Sequence, residues 1–223
     1  MSAVLRLWSE PRTDSHEVKH QVKYAATATE PAHVVAHAER ELPPGGVPAY
    51  LAARKDGIRS FVLWADPYRQ RRIATVVTKS ASDCVATYQV LGEQGEVVGA
   101  LTREKALSGN GLRTRWTVAQ TGAPEAVGFK GRIFWWYVWW LLFPVQAAIA
   151  VGSILSGSGD VARGPRRIIW RTRGKDAVLE FRSNDDEVQV HAEWVDWRLA
   201  AALLLLMRSF ESWLGSPWDD KKA

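Results

Sequence analysis

The sequence predicts a mainly β protein, a closed antiparallel barrel enclosing a hydrophobic helix near its C-terminal end, and three observations predict it. Short alternating segments separated by glycine, asparagine and aspartate turns recur between Ser60 and Val195, giving roughly nine or more strands. Two hairpins share one pattern: Tyr88-Gln89-Val90 leads through Gly95 to Val98-Gly99, and Trp116-Thr117-Val118 leads through Gly122 to Val127-Gly128, 28 residues further on. Finally, Leu199 to Met207 carries no polar side chain on any face, and a helix apolar all round is enclosed by protein or by lipid. These nine residues span only about 14 Å, too short for a bilayer, so protein must surround them. A sheet closed on itself leaves no unpaired edge and supplies such a lumen.

Size and composition set the bounds. The 223 residues suit one large domain, or one domain with an appendage. With 47% apolar residues and twelve tryptophans, the chain can bury a sizeable core. A net charge of +5 from an arginine-rich basic set favours anionic partners, either phosphate groups or an acidic membrane surface. The single cysteine, Cys84, excludes an intrachain disulfide, and its strand-like setting predicts a small buried hydrophobe, the alternative of a nucleophile having no clear partner motif. Met1 to Ser15 lacks the apolar run of a secretory signal, which predicts cytoplasmic synthesis without export.

In chain order, residues 1–58 are the least regular, an irregular or helical segment able to contribute strands. Val4 to Trp8 suits a short strand. Glu17 to Tyr24 alternates, with Val18, His20, Val22 and Tyr24 on one side, although Val18 and Val22 also fit one helical face. Thr29 to Leu42 predicts a helix with Val34, Val35, Ala38 and Leu42 on one stripe, broken by Pro43-Pro44-Gly45-Gly46. The barrel proper is predicted over 59–215. Phe61 to Ala65 and Arg72 to Thr78 flank the turn at Asp66-Pro67, and Val85 to Leu91 pairs with Glu96 to Thr102. After Ser108-Gly109-Asn110-Gly111, the residues Leu112, Thr114, Trp116 and Val118 share one strand face. Beyond an apolar insertion lie Ile168 to Arg173, Ala177 to Arg182 and Glu187 to Val195, the last with Val188, Val190, Ala192 and Trp194 inward. Asp196 then caps a helix over 197–214 by accepting from free amides of its first turn. Gly215 suits the left-handed position beyond its end, and Pro217 blocks continuation into the tail, 216–223.

On the Tyr88/Val90…Gly95…Val98-Gly99 hairpin, its echo at Trp116/Val118…Gly122, and the last strand running through Asp196 into the apolar helix, the chain resembles the tubby C-terminal-like superfamily. That superfamily includes the LURP-one-related proteins and the phospholipid scramblases. The resemblance covers residues 60–214 and implies twelve strands around a central hydrophobic helix, with roles at membranes and phosphoinositides. No scramblase calcium motif is evident and the tubby lipid-site residues are not matched one by one. The implication therefore reaches the fold and not a ligand.

The strongest functional signal is Phe134 to Leu155, twenty-two residues without a charge, which meets the roughly 20 residues of a transmembrane helix. A single crossing would place the strands before Gly131 and after Pro165 on opposite sides of the bilayer and prevent closure. A dip entering and leaving one leaflet keeps the barrel, with Pro144 near the bend and each arm about 16 Å long if helical. Insertion then falls to Phe134, Trp135, Trp136, Tyr137, Trp139, Trp140, Leu141, Leu142, Phe143 and Ile149, whose aromatic rings suit the interfacial depth. Lys130 and Arg132 precede the segment, and Arg163, Arg166, Arg167, Arg171 and Arg173 follow it; each would contact anionic lipid for about 1 kcal/mol. A true span, a protein-covered segment, and an interface to a partner or a second copy are the alternatives.

His16-Glu17-Val18-Lys19-His20 matches the helical zinc motif in which two histidines bind metal and the glutamate acts as base. Only fifteen residues precede it, and Lys19 adds a competing charge. A strand would separate His16 and His20 by about 13 Å. His33 and His37 are also four apart, without a fitting acid. Structural or solvated histidines are favoured, and a zinc-dependent hydrolase is the alternative. The sequence has no phosphate-cradling glycine loop and no Gly-x-Ser-x-Gly elbow, and Asp185-Asp186-Glu187 reads most simply as a turn, with a calcium site as the alternative. Basic faces at Arg113/Arg115 and Arg171/Arg173 beside an apolar segment fit a membrane better than nucleic acid. The expectation is a non-enzymatic lipid-binding or scaffold protein without cofactor, peripheral or monotopic on the cytoplasmic face of a membrane.

Overall fold

The computed structural model describes residues 2–9, 17–27, 30–106, 113–130, 167–174, 176–183, 185–210 and 217–220. Within them lie β1 (Ala3–Ser9), β2 (His20–Ala25), β3 (His33–Arg40), α1 (Gly46–Lys55), β4 (Ser60–Trp64), β5 (Arg72–Ala81), β6 (Val85–Gly92), β7 (Val97–Glu104), β8 (Arg115–Gln120), β9 (Ala126–Phe129), β10 (Arg167–Arg171), β11 (Ala177–Arg182), β12 (Glu187–Val190) and α2 (Trp197–Phe210). The twelve strands form one closed barrel in which each pairs antiparallel with its neighbours in sequence, and β1 closes the ring on β12 from Ala3↔Val190 to Arg6↔Glu187.

Closure at twelve strands has a steric consequence. Eight strands give a lumen that side chains alone can fill, whereas twelve leave a wider one. Helix α2, about 10 Å across with its side chains, occupies it. Every residue from Leu199 to Met207 has zero exposure, as an all-apolar helix requires. The predicted cap is present: the Arg198 amide donates to Asp196 Oδ1 at 2.8 Å. The Asp196 amide in turn donates to Gln120 Oε1 at 2.7 Å, tying the start of α2 to the end of β8.

The repeated Val-Gly pairs acquire a physical meaning here. A Cβ on Gly99 would lie 2.6 Å from the Ala119 carbonyl oxygen and 3.1 Å from both Leu199 methyls. A Cβ on Gly128 would lie 2.9 Å from the Trp170 ring. Each glycine lets the wall close tightly against a bulky core side chain, which is a matter of approach and not of backbone conformation.

Several expectations are corrected. The helix predicted over Thr29 to Leu42 is absent among the described residues; His33–Arg40 is β3, paired with β2 at His20↔Ala38 and with β4 at Ala38↔Leu63. Alternation there places Ala36 and Ala38 inward with zero exposure, while Val34 and Leu42 of the supposed stripe are 41% and 46% exposed. Strands waiting on both sides supply hydrogen bonds that outweigh a weak helical period. The helix of this region is instead α1, which begins directly after the Pro-Pro-Gly break, with Gly45 at φ +101°. Glu17 to Tyr24 is strand only from His20, and β2 carries a bulge between Val22 and Lys23. Strand β12 stops at Val190, so Trp194 sits exposed in the turn before α2. Cys84 is exposed as well, because it lies in the short turn between β5 and β6.

The meander gives the barrel two unlike ends. At one, the connections 26–32, 65–71, 93–96, 121–125, 172–176 and 191–196 hold four to seven residues. At the other, 10–19, 41–59, 82–84, 105–114, 130–166 and 183–186 range from three residues to 37. Helix α2 enters at the short-turn end and finishes at the long-loop end.

Two substitutions test this packing by urea denaturation. Leu203→Ala is expected to cost about 2–5 kcal/mol through the cavity it leaves. Gly99→Ala is expected to cost about 1–3 kcal/mol, because a backbone carbonyl cannot move aside.

Candidate functional site

Long connections on one face of a rigid barrel are where binding residues concentrate, and here that face also receives the end of α2. The last turn of a helix leaves carbonyls without intrahelical partners and favours positive charge. Both needs are met from distant parts of the chain. Arg54 of α1 donates through Nη2 to one of these, the Ser209 carbonyl, at 3.2 Å, and one turn further in Trp218 Nε1 adds a bond to the Leu205 carbonyl at 2.9 Å. The guanidinium groups of Arg59 and Arg103 lie 3.6 Å and 4.3 Å from the centre of the Phe210 ring.

A buried polar cluster sits beside this helix end. Asp219 Oδ2 accepts from the Tyr50 hydroxyl at 2.8 Å and the Ser209 hydroxyl at 2.6 Å, with Arg54 Nε at 3.3 Å. Arg59 Nε donates to Ser209 Oγ at 2.6 Å, and Arg40 Nη1 donates to the Asp219 carbonyl at 2.8 Å. Arg54 Nη1 also reaches Asp220 at 2.9 Å. Arg59, Ser209 and Asp219 are 4%, 1% and 2% exposed, so the cluster is removed from water. Trp218 anchors the tail by packing on Phe61 and against the edge of His20, with ring centres 4.9 Å and 5.1 Å away. Burial, reinforced by the Asp219 charge, drives the Tyr50 phenol well above the usual tyrosine range and keeps it a donor. Burial pulls the Arg59 guanidinium below its ordinary value, with Tyr88 and Asp219 opposing. The arrangement holds an anion. Ser209 has no histidine base beside it in this cluster and no exposure to a substrate.

The residues singled out from the sequence are brought together only in part. Lys130 follows β9 and Arg167 opens β10, and these strands pair directly at Trp170↔Gly128 and Arg171↔Val127. The chain therefore leaves and re-enters the barrel at the same, long-loop end. Arg171 closes β10, about 13 Å along the strand from Arg167, and Arg173 lies in the turn beyond, towards the short-turn end. The basic residues thus divide between the two ends. Arg132, Arg163, Arg166 and the whole of 134–155 lie outside the described residues. Arg167 grips Glu180 with two prongs, Nε to Oε1 and Nη2 to Oε2, both at 2.7 Å, and Arg182 Nε adds a third contact at 2.5 Å. Glu180 is only 3% exposed although it faces outward from the wall.

His16 also lies outside the described residues. Glu17 accepts from the Tyr68 hydroxyl at 3.1 Å, and His20 opens a strand with its Nδ1 2.8 Å from Ser9 Oγ. His33 and His37 lie on β3 and not on one helical turn. Among the described residues, no group of three or more histidine, cysteine, aspartate and glutamate side chains could hold a metal ion. The cluster around Asp219 escaped sequence reasoning because its members are spread from Arg40 to Asp219 with no local motif. The one local hint is the polar Arg208-Ser209 that ends the apolar run, with Trp-Asp-Asp shortly after.

Fold and site define a class: a twelve-stranded antiparallel barrel with an internal helix, carrying a buried anion nest at its long-loop end. No protein-family model matches this chain, and comparison with curated proteins and with solved structures also finds no match.

The Glu180 cluster makes a pH prediction. Burial disfavours the charged carboxylate, but hydrogen bonds from Arg167 and Arg182, with their charges, outweigh it and hold the carboxyl below its ordinary value. A lowered folded value contributes stability that is full above the ordinary value of 4.5 and is lost as pH falls through the lowered one. Glu180→Gln is therefore expected to be less stable than wild type by about 1–2 kcal/mol at pH 7. The gap should narrow steadily below that ordinary value in denaturation curves measured across pH.

Proposed function

We propose that this protein is a membrane-associated lipid-binding or scaffold protein of tubby-like fold that rests its long-loop end on an anionic leaflet. The observation that carries the reading is the direct pairing of β9 with β10. Lys130 and Arg167, the described residues that bracket 131–166, lie at the same end of the barrel, so an odd number of crossings between them is incompatible with the barrel. A segment whose two ends share one side of a membrane, with Lys130 and Arg167 at its borders, suits an anchor that dips and returns. Among the described residues, no helix is long and apolar enough to cross a membrane. The closed wall around an apolar helix is also what the tubby-like resemblance implies.

Arg167 grips Glu180, and Arg171 and Arg173 fall towards the far end, so the expected contact with lipid phosphate is assigned to Arg132, Arg163 and Arg166, with Lys130 beside them. The zinc-hydrolase alternative gains no support from the placement of Glu17 and His20.

Flotation with vesicles of phosphatidylcholine alone or mixed with phosphatidylserine tests the reading. Wild type is expected to float with the anionic vesicles, less so as salt rises, and a variant lacking 134–155 is expected to stay at the bottom. Wild type that stays at the bottom with both would end the membrane reading. A fall in oligomeric size on deleting 134–155 would then mark that segment as a contact between copies.

A further inference from the structure

We infer that the long-loop end of the barrel carries an oxyanion-binding site which the chain's own tail occupies, Asp219 standing where a phosphate-type ligand would bind. Three arginines reach this place from separate parts of the chain: Arg40 at the end of β3, Arg54 on α1 and Arg59 just before β4. Arg54 is ion-paired with the Asp219 and Asp220 carboxylates, whereas Arg40 donates to the Asp219 backbone carbonyl and Arg59 to the Ser209 hydroxyl. Among the described residues, three positive charges against two negative leave an excess of one. Such an excess in a region sheltered from water favours a ligand of higher negative charge than a single carboxylate.

The hydrogen bonds agree. The donors of the nest are the Tyr50 and Ser209 hydroxyls and the guanidinium groups of Arg40, Arg54 and Arg59. The carboxylate uses them poorly. Its Oδ2 takes three contacts, whereas Oδ1 is buried without a hydrogen-bond partner, and Arg40 is spent on a backbone carbonyl. Leaving a buried charged oxygen unpaired is costly, and a tetrahedral oxyanion offers an acceptor in each direction from which a donor arrives. The tail holds its place by tether and anchor. A linked segment competes at an effective concentration of order millimolar, and Trp218 adds apolar burial. The site differs from the lipid contact proposed above. It is formed by Arg40, Tyr50, Arg54, Arg59 and Ser209 beneath the tail, none of them among the residues named for lipid contact, and its ligand need not be part of a bilayer.

The ligand chemistry is a phosphate group carrying two or more negative charges, free in solution or on a lipid. The experiment compares the intact chain with a variant ending before Pro217, using inorganic pyrophosphate by titration calorimetry and phosphatidic acid vesicles by flotation. Removal of the tail is expected to strengthen pyrophosphate binding at least about tenfold. A peptide of residues 216–223 should compete, and Arg40→Gln in the shortened chain should abolish the gain. A gain confined to vesicles, and lost with Arg40→Gln, assigns the phosphate to lipid. Should the shortened chain fail to fold, the intact chain serves: pyrophosphate should speed removal of the tail by a carboxypeptidase, relative to chloride at equal ionic strength. If binding is equal with and without the tail, or if trimming is unaffected where only the intact chain folds, the tail is merely a cap on α2 and the inference falls. The pyrophosphate and trimming measurements contain no membrane, so their outcome is independent of whether the protein floats.

Discussion

The constraint on which the rest of the structure depends is the burial of α2. A helix apolar on every face must be surrounded on every side, and no open sheet or pair of helices can do that. A twelve-stranded wall has the circumference to enclose one helix, and without the helix its lumen would be a large apolar void. Helix and wall therefore require each other. The strict meander order follows easily, since each new strand pairs with the one before it until β12 meets β1.

Enclosure also makes the two ends of α2 the places where polar chemistry must be resolved. At the start, Asp196 and Gln120 satisfy the free amides within a few residues of the helix, through short and local means. At the finish, the carbonyls face the end of the barrel with the long connections. There α1, the residues before β4, β7 and the tail all contribute, and the result is a nest of guanidinium groups around one carboxylate. The partial negative charge at the end of the helix thus favours guanidinium groups there, and these in turn hold the Asp219 carboxylate, on the end of the barrel where β9 finishes and β10 begins.

The outer wall shows a second way of handling charge. Glu180 and Glu187 are each 3% exposed on the barrel exterior because arginines from β1, β10 and β11 lie over them. Arg167, which reads in the sequence as a free cation beside an apolar segment, is here part of the wall's own cohesion. A basic residue in a one-dimensional flank carries no label of its partner, and antiparallel pairing with Arg182 and its neighbours brings the carboxylate within reach.

What the sequence by itself determined was whatever depends on near neighbours. The Asp196 cap, the apolar run of α2, most of the β segments after Ser60 and the paired Val-Gly hairpins are local patterns of spacing and turn chemistry, and all are found in place. The geometric demand of the apolar run even carried the closed barrel. Tertiary structure alone decided the rest. Thr29 to Leu42 has a short period compatible with helix, and only β2 and β4 on its flanks make it a strand. Residues 1–58 look irregular in isolation, yet they supply β1, β2 and β3 and close the ring. The Asp219 nest joins residues up to 179 apart, and no local signal announces a contact made only when α2 ends where the tail returns. Short-range steric and hydrogen-bonding preferences are written in adjacent residues, whereas charge partners across a closed barrel exist only once closure has set the register of every strand.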